Sequence, residues 1–216
     1  MSKKYEIFLF DLDGTITDSA LGITNSVMYA LKKFGIEETD RTKLYKFIGP
    51  PLTESFEKFY GFTKEQSLDG VKYYREYYHD KGIYENRVYD GLEEVLKKIN
   101  EAGKQAIVAT SKPEKYAKII MIIFILLNTL HALQVWRWTV EEEQKRRSLP
   151  MLLRKNDITD KSNVLMIGDR EHDVIGAHEN GLDCLGILYG FGSRKEFEEA
   201  GADYIRENVE DILQFV

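Results

Sequence analysis

Apolar residues recur along this chain at two spacings, and each spacing keeps to its own stretches. Tyr5 to Phe10 is a short run rich in aromatic and β-branched residues that stops at Asp11, which predicts a buried strand delivering a carboxylate at its C-terminal end. Gln105 to Thr110, Asn163 to Gly168 and Cys184 to Tyr189 have the same character. Helical patterns precede them, as in Leu92, Val95, Leu96 and Ile99 with Gly103 beyond as a stop, so strand and helix alternate and the sheet is expected to be parallel. The expected class is α/β, with a doubly wound, Rossmann-like core. In such sheets ligands sit at the carboxyl ends of the strands, where Asp11, Thr110 and Asp169 fall.

Between about residues 16 and 85 the spacing turns helical, without strand-like runs. Ile23, Val27, Ala30, Leu31 and Phe34 mark one amphipathic helix, and Tyr73, Tyr74, Tyr77 and Tyr78 crowd another. The expected organisation is a core from residues 1–15 and 86–216, with a small all-helical cap domain, residues 16–85, inserted after the first strand. The four tyrosines read either as helix core with wet hydroxyls or as a wall facing a substrate.

At 216 residues, 43% hydrophobic and 31% charged, the chain can bury a sizeable core. Its net charge of −6 comes from interleaved acids and bases, with no extended basic surface, so a nucleic-acid partner is not expected. One cysteine, Cys184, cannot form an internal disulfide and reads as a buried thiol in a reducing compartment. Met1 to Glu6 holds no apolar stretch of signal-peptide type, and a cytoplasmic protein is expected.

The segment Phe10-Asp11-Leu12-Asp13-Gly14-Thr15 places two carboxylates two residues apart, so in extended geometry both face one centre while Leu12 anchors behind. Gly14 permits a turn that brings backbone close to an anion. A carboxylate in a phosphate site repels its substrate unless a hard cation intervenes, which makes Mg2+ the expected cofactor. Asp-x-Asp-Gly also occurs in ordinary turns and calcium loops, but the twelfth position counted from Asp11 is Gly22 rather than the closing Glu of such a loop. A second acidic cluster, Gly168-Asp169-Arg170-Glu171-His172-Asp173, follows a strand and opens a helix. Asp169 and Asp173, one turn apart, can converge on a metal, or they can simply favour a helix N-terminus. His172 diverges from both and reads as a solvated side chain.

With these motifs in view, the chain resembles the haloacid dehalogenase-like hydrolases, and among them the phosphoglycolate-phosphatase-like branch with a helical cap. The resemblance rests on Asp11-Leu12-Asp13-Gly14-Thr15, on Thr110-Ser111-Lys112-Pro113, and on Gly168-Asp169 with Asp173. It implies that Asp11 attacks phosphorus, that Asp13 protonates the leaving oxygen and then activates water, and that Thr110 holds a phosphoryl oxygen. It further implies that Asp169, a carboxylate of Asp11 and the backbone carbonyl of Asp13 bind magnesium, with Asp173 in support. Gly14, Thr15, Ser111 and Lys112 are the candidate contacts on the substrate side. Phe47-Ile48-Gly49-Pro50-Pro51-Leu52 resembles the Gly-x-Pro turn of such caps or is an ordinary helix-breaking turn, and Lys81 to Glu85 resembles the return linker.

The pattern breaks between about Met121 and Met151. Family members carry a catalytic lysine upstream of the Gly-Asp motif; Lys145 stands at that distance in foreign surroundings, with Lys155 as the alternative and Lys112 as a phosphate-side helper from the Thr110 loop. The apolar run Ile119 to Leu127 is less than half of the ~20 residues a membrane span needs, so no membrane partner is expected. Either a divergent subfamily has replaced the segment or the gene carries a compensated shift of reading frame. The abrupt failure and resumption at unchanged length favour the second, which resequencing tests. The expected activity is hydrolysis of a small phosphorylated metabolite, such as phosphoglycolate or a sugar or nucleotide monophosphate, by a monomer or homodimer. An inorganic pyrophosphatase, a phosphomutase and a silent binder of a phosphorylated ligand are the alternatives.

Overall fold

The computed structural model describes residues 3–126 and 145–216. The chain divides into two compact units, Met1–Thr17 with Val88–Val216, and Asp18–Arg87. The chain opens with β1 (Ile7–Phe10) and β2 (Thr17–Asp18) and then enters the helical unit, whose helices are α1 (Ala20–Lys33), α2 (Leu52–Tyr60) and α3 (Lys64–Asp80). It leaves through β3 (Arg87–Val88) and continues as α4 (Leu92–Glu101), β4 (Gln105–Val108), α5 (Glu114–Leu126) and α6 (Lys145–Lys155). β5 (Val164–Gly168), α7 (Glu171–Glu179), β6 (Asp183–Ile187), α8 (Arg194–Ala200) and β7 (Tyr204–Arg206) complete it.

Among the described residues the main sheet has five strands in the order β4-β1-β5-β6-β7, all parallel. From β1 the chain crosses to β4 on one side and then to β5 on the other, so the direction of winding reverses around the end of β1. In open sheets of this kind ligands bind outside the carboxyl ends of the strands at such a reversal. Every residue of β5 is buried, as expected of a parallel strand covered on both faces. Leu9, Ile107, Val164, Met166 and Cys184 from the sheet pack with Leu149, Leu152 and Leu153 of α6, Val174 and Ala177 of α7, and Phe197 of α8. The Leu149 to Leu153 stretch thus rejoins the core just where the sequence pattern resumes. Residues 127–144, which hold both tryptophans and most of the broken pattern, lie outside the described residues.

α4 stops where Gly103 takes φ 74°, with the N–H groups of Gly103 and Lys104 returning to the carbonyls of Asn100 and Ile99. β7 has no counterpart among the expected strands: it is three half-buried residues at the sheet edge, too short for a period-2 pattern to show.

In the helical unit α1 buries Ile23, Val27, Ala30 and Leu31. α3 begins at a capping box in which the Thr63 hydroxyl and the Gln66 side chain each accept a backbone N–H of the other. Tyr74 and Tyr78 are buried and stacked at 5.4 Å, while Tyr73 packs on Phe34 and Tyr77 on Tyr29. The Tyr77 hydroxyl donates to Glu85, which also accepts from the Asn25 amide, so the return segment is tied to α1 and α3. Gly49 takes φ 102° in the turn before Pro51, which caps α2.

Candidate active site

Asp11 is the first residue beyond β1, and its N–H still donates to Ile167 on the neighbouring strand, so its position is an extension of the ladder. Past it the chain folds into a tight loop. The carbonyl of Leu12 accepts from the N–H groups of Thr15, Ile16 and Thr17, and the Gly14 N–H returns to the Thr17 carbonyl at 2.7 Å. Leu12 is fully buried and anchors the loop while Asp11 and Asp13 flank it. Gly14 has φ 89°, and a β-carbon there would lie 2.1 Å from a carboxylate oxygen of Asp169. Only glycine permits both the conformation and the approach.

Asp169 directly follows β5 and is fully buried, and its Oδ2 accepts from the Phe191 N–H at 2.9 Å. Asp173, on the first turn of α7, is buried as well, and its Oδ2 accepts from the Arg170 N–H at 3.1 Å. Asp11, Asp169 and Asp173 offer carboxylate oxygens that all lie within 4.8 Å of one another. Three buried carboxylates so close repel one another strongly in a medium of reduced dielectric. A hard divalent cation with oxygen ligands relieves that repulsion, and the donor set fits one.

Thr110, just past β4, is buried, and its hydroxyl accepts from the Lys112 N–H at 3.2 Å. Lys112 extends from the same loop to Asp13, where its ammonium donates to both carboxylate oxygens at 2.9 and 2.6 Å. Ser111 between them is half-buried, and Thr15 is wholly buried beneath its loop. Lys145 opens α6, but its side chain lies outside the described residues. Lys155 is exposed at the other end of that helix, and His172 is exposed on α7.

The loop after β6, which begins within the run Cys184 to Tyr189 expected as strand, also belongs to this constellation, although no site residue was expected there. A β-carbon on Gly190 would lie 2.4 Å from both the Asp169 side chain and the Gly14 carbonyl. The Tyr189 hydroxyl donates to the Thr15 carbonyl at 3.1 Å, and desolvation, with Tyr89 and Asp169 nearby, pushes its pKa well above the ordinary tyrosine value, so it remains a neutral donor. Glu196 of α8 accepts from Arg170 Nε and from the Glu171 N–H, bracing the start of α7. The available signal was Tyr189-Gly190-Phe191-Gly192, a glycine-flanked aromatic placed at the carboxyl edge of a strand.

Fold and site together define an α/β enzyme that carries one carboxylate at the end of β1 and two more from the adjacent strand β5 and the helix α7. Residues 8–187 match the model of the haloacid dehalogenase-like hydrolases, and the chain belongs to that family. It is 42% identical over 193 residues to a 5'-nucleotidase of Pseudomonas aeruginosa, a match covering 89% of this chain and 87% of the relative. It superposes with a TM-score of 0.88 on the crystal structure of a protein described as a predicted phosphatase from Clostridium acetobutylicum, at 40% identity and 98% coverage of both chains. A further relative, 30% identical over 87% of this chain and 63% of its own length, is the tyrosine-protein kinase PtkA of Mycobacterium tuberculosis. The chain is a hydrolase of the phosphatase class within its family. Among the described residues, no helix is long and apolar enough to cross a membrane.

Proposed function

We propose that the protein hydrolyses small phosphate monoesters through an aspartyl-phosphate on Asp11. The observation that carries this reading is the meeting of Asp11, Asp169 and Asp173 within 4.8 Å at the carboxyl ends of β1 and β5, with Asp13 two residues beyond the first of them. A carboxylate oxygen of Asp11 attacks phosphorus, and the bond from phosphorus to the ester oxygen breaks. The departing oxygen takes the electron pair together with a proton from Asp13, leaving as the alcohol. Water then attacks the phosphoenzyme, gives its proton to the Asp13 carboxylate, and the bond from Asp11 to phosphorus breaks to release phosphate.

Asp11, Asp169 and Asp173, with the carbonyl of Asp13, are the groups that would hold Mg2+. When bound, the ion neutralises charge between the carboxylates and the phosphoryl oxygens. Thr110, presented from the adjacent strand end, supplies a hydroxyl for a phosphoryl oxygen, and the backbone around Gly14 supplies a close approach. Positioning and electrostatics of this kind provide most of the rate in phosphoryl transfer.

Nucleoside 5'-monophosphates stand first among the substrates, because the relative that shares 42% identity is named for that activity. Sugar phosphates, phosphoglycolate and pyrophosphate complete the panel. Purified protein with Mg2+ is expected to release phosphate from at least one of these and from p-nitrophenyl phosphate. Asp11→Asn is expected to lower turnover by at least ~10⁴, since it removes the nucleophile. Release that persists in Asp11→Asn would overturn the reading.

A further inference from the structure

We infer that Lys112 is a positioning residue for Asp13: its ammonium fixes the carboxylate that gives and takes the proton. The inference rests on the roles proposed above for Asp11 and Asp13. Among the described residues, Lys112 supplies every side-chain hydrogen bond that Asp13 makes, one to each oxygen. Two such bonds to one ammonium restrict rotation of the carboxylate about its own axis. Both ends are shielded, with side-chain exposures of 7% and 15%, so water competes poorly for either partner. The main chain of Lys112 is tied as well, through its N–H to the Thr110 hydroxyl. One residue thus couples the strand-end loop after β4 to the loop after β1, across 99 positions of sequence.

A lysine that only gripped the phosphate would serve all monoesters alike. A lysine that orients the proton donor serves them in proportion to their need for the proton. When the ester bond breaks, p-nitrophenolate carries the electron pair unaided, whereas an alkoxide must be protonated as it leaves. The two roles therefore separate in kcat/KM, which reports the steps up to the first irreversible one.

The experiment measures kcat/KM for p-nitrophenyl phosphate and for the best alkyl monoester, with wild type, Lys112→Met, Lys112→Gln, Lys112→Arg and Asp13→Asn. General acid catalysis contributes about 10²–10⁴-fold, so Lys112→Met and Lys112→Gln are each expected to lose at least ~10-fold more on the alkyl ester than on the aryl ester. Asp13→Asn is expected to show the same bias, and Lys112→Arg to recover part of the alkyl activity. Reading the two neutral variants in parallel, with circular dichroism on each, means that one folded variant suffices. Equal losses on both esters, or none, in the folded lysine variants while Asp13→Asn keeps its bias would overturn the inference alone. If Asp13→Asn shows no bias either, the acid role of Asp13 falls and the inference falls with it.

Discussion

Asp183 opens β6 at the end of the sheet opposite Asp11, and it accepts from Lys3 Nζ at 2.8 Å and from the Tyr5 hydroxyl at 2.5 Å. Burial works to raise its pKa, but the Lys3 ammonium and the Tyr5 hydroxyl outweigh it and hold the carboxyl below its ordinary value. A carboxylate depressed in the folded state contributes stability above the unfolded value of about 3.9, and that contribution is lost as pH falls through the folded value. With the Asp183 side chain 33% exposed, solvent screening keeps the amount below about 1 kcal/mol. Asp183→Asn is therefore expected to be slightly less stable at neutral pH and to show a shallower loss on acidification below about pH 4. Urea unfolding across that range checks it, and parallel curves for both proteins would count against the pairing. Gly14 teaches the complementary lesson at the same scale. Its turn was legible from Asp-x-Asp-Gly, whereas the reason no other residue fits, a carboxylate 155 positions away in sequence (169 − 14), was not.

α6 shows what an element owes to its surroundings. It carries Pro150 in its interior, which removes a backbone donor and disfavours the helix locally, so packing has to hold it in place. Leu149, Leu152 and Leu153 provide that packing against β5 and α7 residues such as Met166 and Val174. Leu152 is 1% exposed, and Leu152→Ala is expected to cost about 2–5 kcal/mol by lost burial and the cavity left behind. Equilibrium urea unfolding measures it; a cost under about 0.5 kcal/mol, the range of surface substitutions, would mean that α6 is not part of the core. The strands of the main sheet depend less on such rescue. β1, β4, β5 and β6 each stand out as apolar runs because a parallel strand is covered on both faces, while the half-buried edge strand β7 does not.

For the molecule as a whole, binding of a cation to the folded state alone raises stability by mass action, by about 2.7 kcal/mol at a hundred times its dissociation constant. Adding Mg2+ to protein stripped with a chelator is expected to raise Tm, and Asp169→Asn, which removes one fully buried carboxylate of the cluster, is expected to abolish the rise. A Tm in wild type indifferent to Mg2+, or a rise retained in Asp169→Asn, would contradict the metal assignment. The sequence by itself determined the strand–helix alternation, the parallel class of the sheet and the strand ends at which Asp11, Thr110 and Asp169 emerge. These are consequences of period and burial, which act within a few residues of chain. Only the tertiary structure decided that Lys112 meets Asp13, that the Phe191 N–H holds Asp169, and that Tyr189 secures the loop at Thr15. Such contacts join loops from different strands, and they exist only once the order β4-β1-β5-β6-β7 has brought those strand ends side by side.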